Sequence, residues 1–132
     1  MIQTVQASLK IKSFSETPFA PSQGGPELTR GAYILSYEGG LQGQGILEEL
    51  KVCFSEKRAA MTGLMRFTGR IGDFEGSFVV THEGKSINGR VTATQTVVPG
   101  SATGGLKGLR GEMKLECSSS RDFSAAFRYR FA

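Results

Sequence analysis

FSAAFRYRF, Phe123 to Phe131, is the stretch of this 132-residue chain whose reading decides the fold. Phe123, Ala125, Phe127, Tyr129 and Phe131 fall on one parity; Ser124, Ala126, Arg128 and Arg130 fall on the other. Strict period-two alternation is the mark of a strand that buries one face, since a helix would scatter the rings around its axis. Four aromatic rings on a single strand face demand a shared, enclosed interior. The other end of the chain repeats the pattern. Val5, Ala7, Leu9 and Ile11 alternate with Gln6, Ser8, Lys10 and Lys12. The two most regular strands are thus the first and the last, and pairing them would close a sheet upon itself.

Between these ends, strands are expected near Ala32–Glu38, Gly43–Phe54, Ala60–Thr68, Phe74–His82, Ser86–Val97 and Lys107–Cys117, eight in all. Turn chemistry separates them: Ser22-Gln-Gly-Gly-Pro26, Glu38-Gly-Gly40, Gly72-Asp73, Glu83-Gly84 and Ser118-Ser-Ser-Arg-Asp122. The pairs at Gly72-Asp73 and Glu83-Gly84 bound the fifth strand as tight hairpins. Ile46 to Val52 has a helical look, but Gly43, Gly45 and the following Val-Cys-Phe favour a strand. There is no room for crossover helices, which a parallel sheet needs. The expected fold is all-β: a single domain over residues 1–132, built as an antiparallel eight-stranded β-barrel or a flattened barrel-like sandwich. About eight strands leave an interior that side chains fill, or that holds one small ligand.

Composition agrees. Hydrophobic residues make up 39% with nine Phe, and the 18 glycines follow no fixed period, as turns and bulges require and repeats do not. The N-terminus lacks a basic segment leading into an apolar run, and no apolar stretch is long enough for a membrane helix. Cys53 and Cys117, the two cysteines, have no metal-like spacing and are expected to be reduced thiols. The expectation is a cytoplasmic protein without a membrane partner. A net charge of +4 is spread along the chain rather than gathered into a nucleic-acid arm.

Candidate chemistry is sparse. The stretch VVPGSATGGLKGLRG (97–111) resembles a phosphate loop only superficially. Gly100 and Gly105 have the right separation, but Leu106 stands where the lysine belongs and Gly108 where the hydroxyl belongs. The glycines are better read as corners, with Ser101 and Thr103 available to line a barrel mouth. His82 is the only histidine, so a metal site built on several is excluded. It shares strand parity with Phe78 and Val80, which makes it a candidate base or ligand-orienting donor inside the barrel. Glu48 and Glu49 are adjacent and point to opposite faces, so they cannot share a substrate. In Phe127-Arg-Tyr-Arg-Phe131 the aromatics face away from the arginines and cannot grip one nucleotide together, so no nucleic-acid partner is expected. No metal and no cofactor are expected either.

The segments FTGRIGDFEGSFVVTHEG (67–84) and VVPGSATGGLKGLRG (97–111) resemble the bacterial family catalogued as domain of unknown function 3224. The matching positions are Gly76, Ser77, Phe78, Val79, His82 and Gly84, then Val98 to Ser101, Thr103, Gly104 and Leu109 to Gly111. The resemblance implies a small antiparallel barrel of the allene oxide cyclase-like class and no established reaction. The family often carries acidic residues where this chain has Met65 and Gly105, and an Asp where it has Arg128. Acid–base roles tied to those carboxylates do not transfer.

Together these features point to a barrel binding a small, partly apolar ligand in its lumen or mouth, with Phe78, His82, Ser101, Thr103 and Arg110 as candidate contacts. An isomerase or cyclase using His82 or a buried carboxylate is the alternative. A filled barrel acting by assembly, its Arg128/Arg130 face meeting a partner, is a third. A homo-oligomer, most simply a dimer, is expected.

Overall fold

Alternation runs through nearly the whole chain, and the computed structural model, which describes residues 1–117 and 122–132, turns it into strands. They are β1 (Gln3–Phe19), β2 (Glu27–Gly39), β3 (Gln42–Ser55), β4 (Arg58–Ile71), β5 (Phe74–Ile87), β6 (Arg90–Val97), β7 (Leu109–Cys117) and β8 (Asp122–Phe131). Each pairs antiparallel with its sequence neighbours, and β1 pairs with β8, closing an eight-stranded barrel. Closure runs from Gln3 opposite Tyr129 to Lys10 opposite Asp122. It brings the two alternating ends together with their apolar faces inward. Among the described residues no helix is long and apolar enough to cross a membrane.

The rings of β8 behave largely as their parity requires. Phe127 and Tyr129 are buried, Phe123 is half-buried against the core, and Arg128 and Arg130 are exposed. Phe131 departs from the pattern. It is the last residue of β8, paired with Leu109 but beyond the pairing with β1, and it is 38% exposed, packing on Phe74 and Tyr129.

Several boundaries differ from the sequence reading, two of them with structural consequences. Glu83 and Gly84 lie within β5, and the β5–β6 hairpin turns at Asn88-Gly89, both with positive φ (52° and 82°). That pair is a favoured two-residue hairpin turn. Gly84 is needed in mid-strand because a Cβ there would crowd the Thr92 carbonyl and Ala93. β1 also continues far beyond Ile11. A bulge leaves Lys12 without a partner and shifts the alternation, so that Phe14 and Glu16 face the same side as Ile11. The turn expected at Ser118–Asp122 lies, for residues 118–121, outside the described residues.

The barrel is packed at one end and open at the other. Leu41, Phe67, Ile71, Phe78, Leu106, Leu109, Met113 and Phe127 are all 2% exposed or less and fill the closed end. Phe67 and Phe78 lie 4.9 Å apart between centroids, Tyr37 meets Phe67 edge-on at 5.3 Å, and Phe78 stacks on Phe127 at 6.1 Å. Across this end runs the glycine-rich loop between β6 and β7. Its single 3-10 turn, Gly104–Leu106, drives the Leu106 side chain into the core.

Candidate functional site

The open half of the barrel holds a cavity of about 520 Å³. Its walls are mainly apolar, with Leu35, Leu47, Met61, Leu115 and Phe123 prominent, and its polar lining includes Tyr33, Glu49, Lys51, His82 and Gln95. That volume and character match a small-molecule pocket. A larger but shallower depression on the outer wall, lined by Glu83, Lys85, Thr92, Thr94, Lys114 and Glu116, is open to solvent and has no comparable buried polar group.

Register explains how the polar groups meet. Glu49 on β3 stands opposite Gly31 on β2 and Gly63 on β4; Gly63 stands opposite His82 on β5, and His82 opposite Gln95 on β6. Gly63 has no side chain to separate His82 from Glu49, so the imidazole reaches across β4. A Cβ at Gly63 would overlap the Glu48 carbonyl, so the strands' close approach demands glycine there as well. On the other side the Tyr33 ring leans over Gly31, where a Cβ would strike it.

The result is a directed hydrogen-bond chain. Gln95 Nε2 lies 3.2 Å from His82 Nδ1, and His82 Nε2 lies 2.9 Å from Glu49 Oε2. An amide nitrogen only donates, so Nδ1 accepts, and the ring's proton sits on Nε2 and donates to Glu49. The amide orientation fits its other neighbour: the Tyr37 hydroxyl donates to Gln95 Oε1 at 3.2 Å, with Met65 Sδ 3.3 Å away as a second acceptor. Every proton in the chain points toward Glu49. Glu49, His82 and Gln95 are 6%, 5% and 0% exposed, so this network is paid for by mutual satisfaction rather than by water.

Burial pushes both phenols above the ordinary tyrosine value. For Tyr37 desolvation dominates and the Gln95 hydrogen bond opposes it. For Tyr33 desolvation is again first, followed by the negative charges of Glu49 and Glu16. Both therefore stay protonated at neutral pH and can only act as neutral hydroxyls. Nearer the mouth, Glu16 accepts from Thr29 Oγ1 at 2.6 Å and pairs with Lys51 Nζ at 3.4 Å, linking β1, β2 and β3. The Lys12 bulge is what turns Glu16 to this side.

Of the residues singled out from sequence, His82 lines the cavity. Phe78 is in the packed end. Ser101 and Thr103 hold the loop to β5: Val79 N donates to Ser101 Oγ at 3.0 Å, Ser77 N donates to Thr103 Oγ1 at 3.1 Å, and Thr103 N donates to Ser77 O at 2.8 Å. The loop thereby takes over the edge of β5 below Val80, where pairing with β6 ends. The corner reading of its glycines holds at Gly100, Gly104 and Gly108, which have positive φ. Arg110 is on the outer wall opposite Arg130, beside Glu112 and Arg128. Sequence reasoning passed over Glu49, Gln95, Tyr33, Tyr37 and Lys51. Strand parity carried a signal for Gln95, which shares a face with Ala93 and Val97.

Among the described residues no group of three or more His, Cys, Asp or Glu could hold a metal. Cys53 and Cys117 are not joined in a disulfide.

Comparison with known proteins gives two findings. A family model described as "Protein of unknown function (DUF3224)" matches residues 5–129. The chain is also similar to a crystal structure of a protein of unknown function from the DUF3224 family of Shewanella oneidensis MR-1, at 24% identity and a TM-score of 0.81, covering 100% of this chain and 99% of that one. At that identity the likeness shows the fold alone. No curated protein matches the chain.

Proposed function

We propose that this chain, which belongs to the DUF3224 family, is a receptor for a small, partly apolar molecule held in the open half of its barrel. The observation that carries this reading is the asymmetry of the interior. One end is packed with aromatic rings, while the other keeps an apolar-walled cavity of about 520 Å³ over a satisfied polar cluster. A barrel whose interior served stability alone would gain from filling that space, because each unfilled methylene-sized gap forfeits packing energy. Native mass spectrometry of freshly purified protein, before and after incubation with small aromatic fragments, tests the reading. One adduct per chain, released on unfolding, supports it; a bare chain mass under both conditions contradicts it.

A second reading, proton transfer, is favoured by the Glu49–His82 pair at the cavity. Glu49 would accept a proton from a carbon acid beside a carbonyl and return it to a neighbouring carbon, an isomerisation with no net change in composition. His82 would position the carboxylate and Gln95 would fix the ring, since both ring nitrogens are already engaged. Deuterium incorporation from heavy water into a recovered ligand, lost in Glu49→Gln, would support this reading; a ligand returned unlabelled would sink it.

A further inference from the structure

We propose that the cavity selects an organic cation, a protonated amine on a small apolar body, through the Glu49 carboxylate. This rests on the receptor reading above and adds to it the charge of the ligand's head group. Besides His82, the cavity lining carries two ionisable side chains of formal charge, Glu49 and Lys51. Lys51 is already matched by Glu16, which Thr29 also holds. An anionic ligand would have to displace Glu16 to reach it. His82 has both ring nitrogens engaged, Nδ1 with Gln95 and Nε2 with Glu49, and so leaves no ring nitrogen for a ligand. Glu49 therefore faces an apolar cavity with His82 as its partner at 2.9 Å and, among the described residues, no lysine or arginine within salt-bridge distance.

An ammonium head would add a charge-assisted hydrogen bond at the carboxylate's remaining acceptor positions, roughly twice as strong as one between neutral groups. A carboxylate offers about four acceptor positions, more than are taken by His82 and by the Tyr33 hydroxyl, which also hydrogen-bonds Glu49. Leu35, Leu47 and Leu115 would enclose the ligand's body and exclude water, which strengthens the contact between its head and Glu49. A carboxylate head in the same place would meet like charge. The predicted order of preference is amine, then alcohol, then acid.

Benzylamine, benzyl alcohol and benzoate share one ring and differ in the head group, and benzylamine is protonated at neutral pH. Titration of each into the full chain, followed by NMR shifts at Leu47, His82 and Leu115, reads three dissociation constants. Benzylamine is expected to bind about tenfold more tightly than benzyl alcohol, with benzoate weakest. In Glu49→Gln the amine-to-alcohol ratio should fall toward one, while Glu49→Asp should keep the amine preference. Equal binding of amine and alcohol by the wild-type chain, or a preference for benzoate, overturns cation selection and leaves the receptor reading standing. Silence toward all three overturns both. Should Glu49→Gln fail to fold, the wild-type order and Glu49→Asp decide the matter.

Discussion

Tyr37 joins the stability of the barrel to its polar cluster. Its hydroxyl donates to Gln95, which is fully buried and has no solvent to replace a lost partner. Tyr37→Phe should cost about 1–3 kcal/mol in urea unfolding. It should also change the response to alkali. Because burial raises the Tyr37 and Tyr33 phenols above 10, the folded chain holds protons that the unfolded chain releases. Stability from this source is complete below about pH 10 and falls as pH rises toward the folded-state values. Urea midpoints measured from pH 8 to 12 should show a steep alkaline decline that is shallower in Tyr37→Phe; parallel profiles would refute the assignment. At this scale His82 was legible, since it shares parity with Phe78 and Val80, both 0% exposed. Glu49 was not, although it was known to face away from Glu48. β3 has apolar residues on both faces, Leu47 inside but Ile46 and Leu50 outside at 58% and 45% exposed, so alternation alone could not say which face was in.

Among the elements, the loop between β6 and β7 does the work of a missing strand. Val98, Ser101 and Thr103 satisfy backbone groups of Ser77 and Val79 where β6 has already ended, and Leu106 seals the core. Gly76 permits this contact, because a Cβ there would overlap the Thr103 carbonyl. Gly76→Ala should therefore push the loop outward at a cost of about 1–3 kcal/mol. Hydrogen exchange should accelerate at Ser77, Val79 and Thr103 before the rest of the barrel responds. Unchanged protection there would show that the loop is not held as described. Most strands could be read from sequence through their alternation, and the loop through its glycines. What escaped were local offsets: the Lys12 bulge, which turns Glu16 toward the mouth, and the Asn88-Gly89 turn, for which Glu83-Gly84 was mistaken. The bulge arises from backbone pairing with a neighbouring strand, which the order of residues does not display, whereas the turn was legible, since Asn-Gly is a favoured hairpin pair. Gly84 is glycine for close strand approach rather than for a turn.

The whole molecule is a closed ring of strands, packed with aromatic rings at one end and hollow at the other. Closure was foreseeable from the two alternating termini, whereas the division into packed and hollow halves depends on how far each side chain reaches across the lumen. Ala93, small and turned toward the cavity, offers a way to fill the hollow half without disturbing the rest. Ala93→Phe should abolish binding of benzylamine while leaving circular dichroism unchanged and urea stability within about 1 kcal/mol, since added volume enters empty space rather than a packed core. Undiminished binding would place the probe elsewhere. The most direct test of the account is the anomalous map of a crystal soaked with 4-bromobenzylamine. The bromine is predicted among Leu35, Leu47 and Leu115, with the amine about 2.8 Å from a Glu49 oxygen. Bromine found only on the outer wall, over an unoccupied or collapsed lumen, would contradict it.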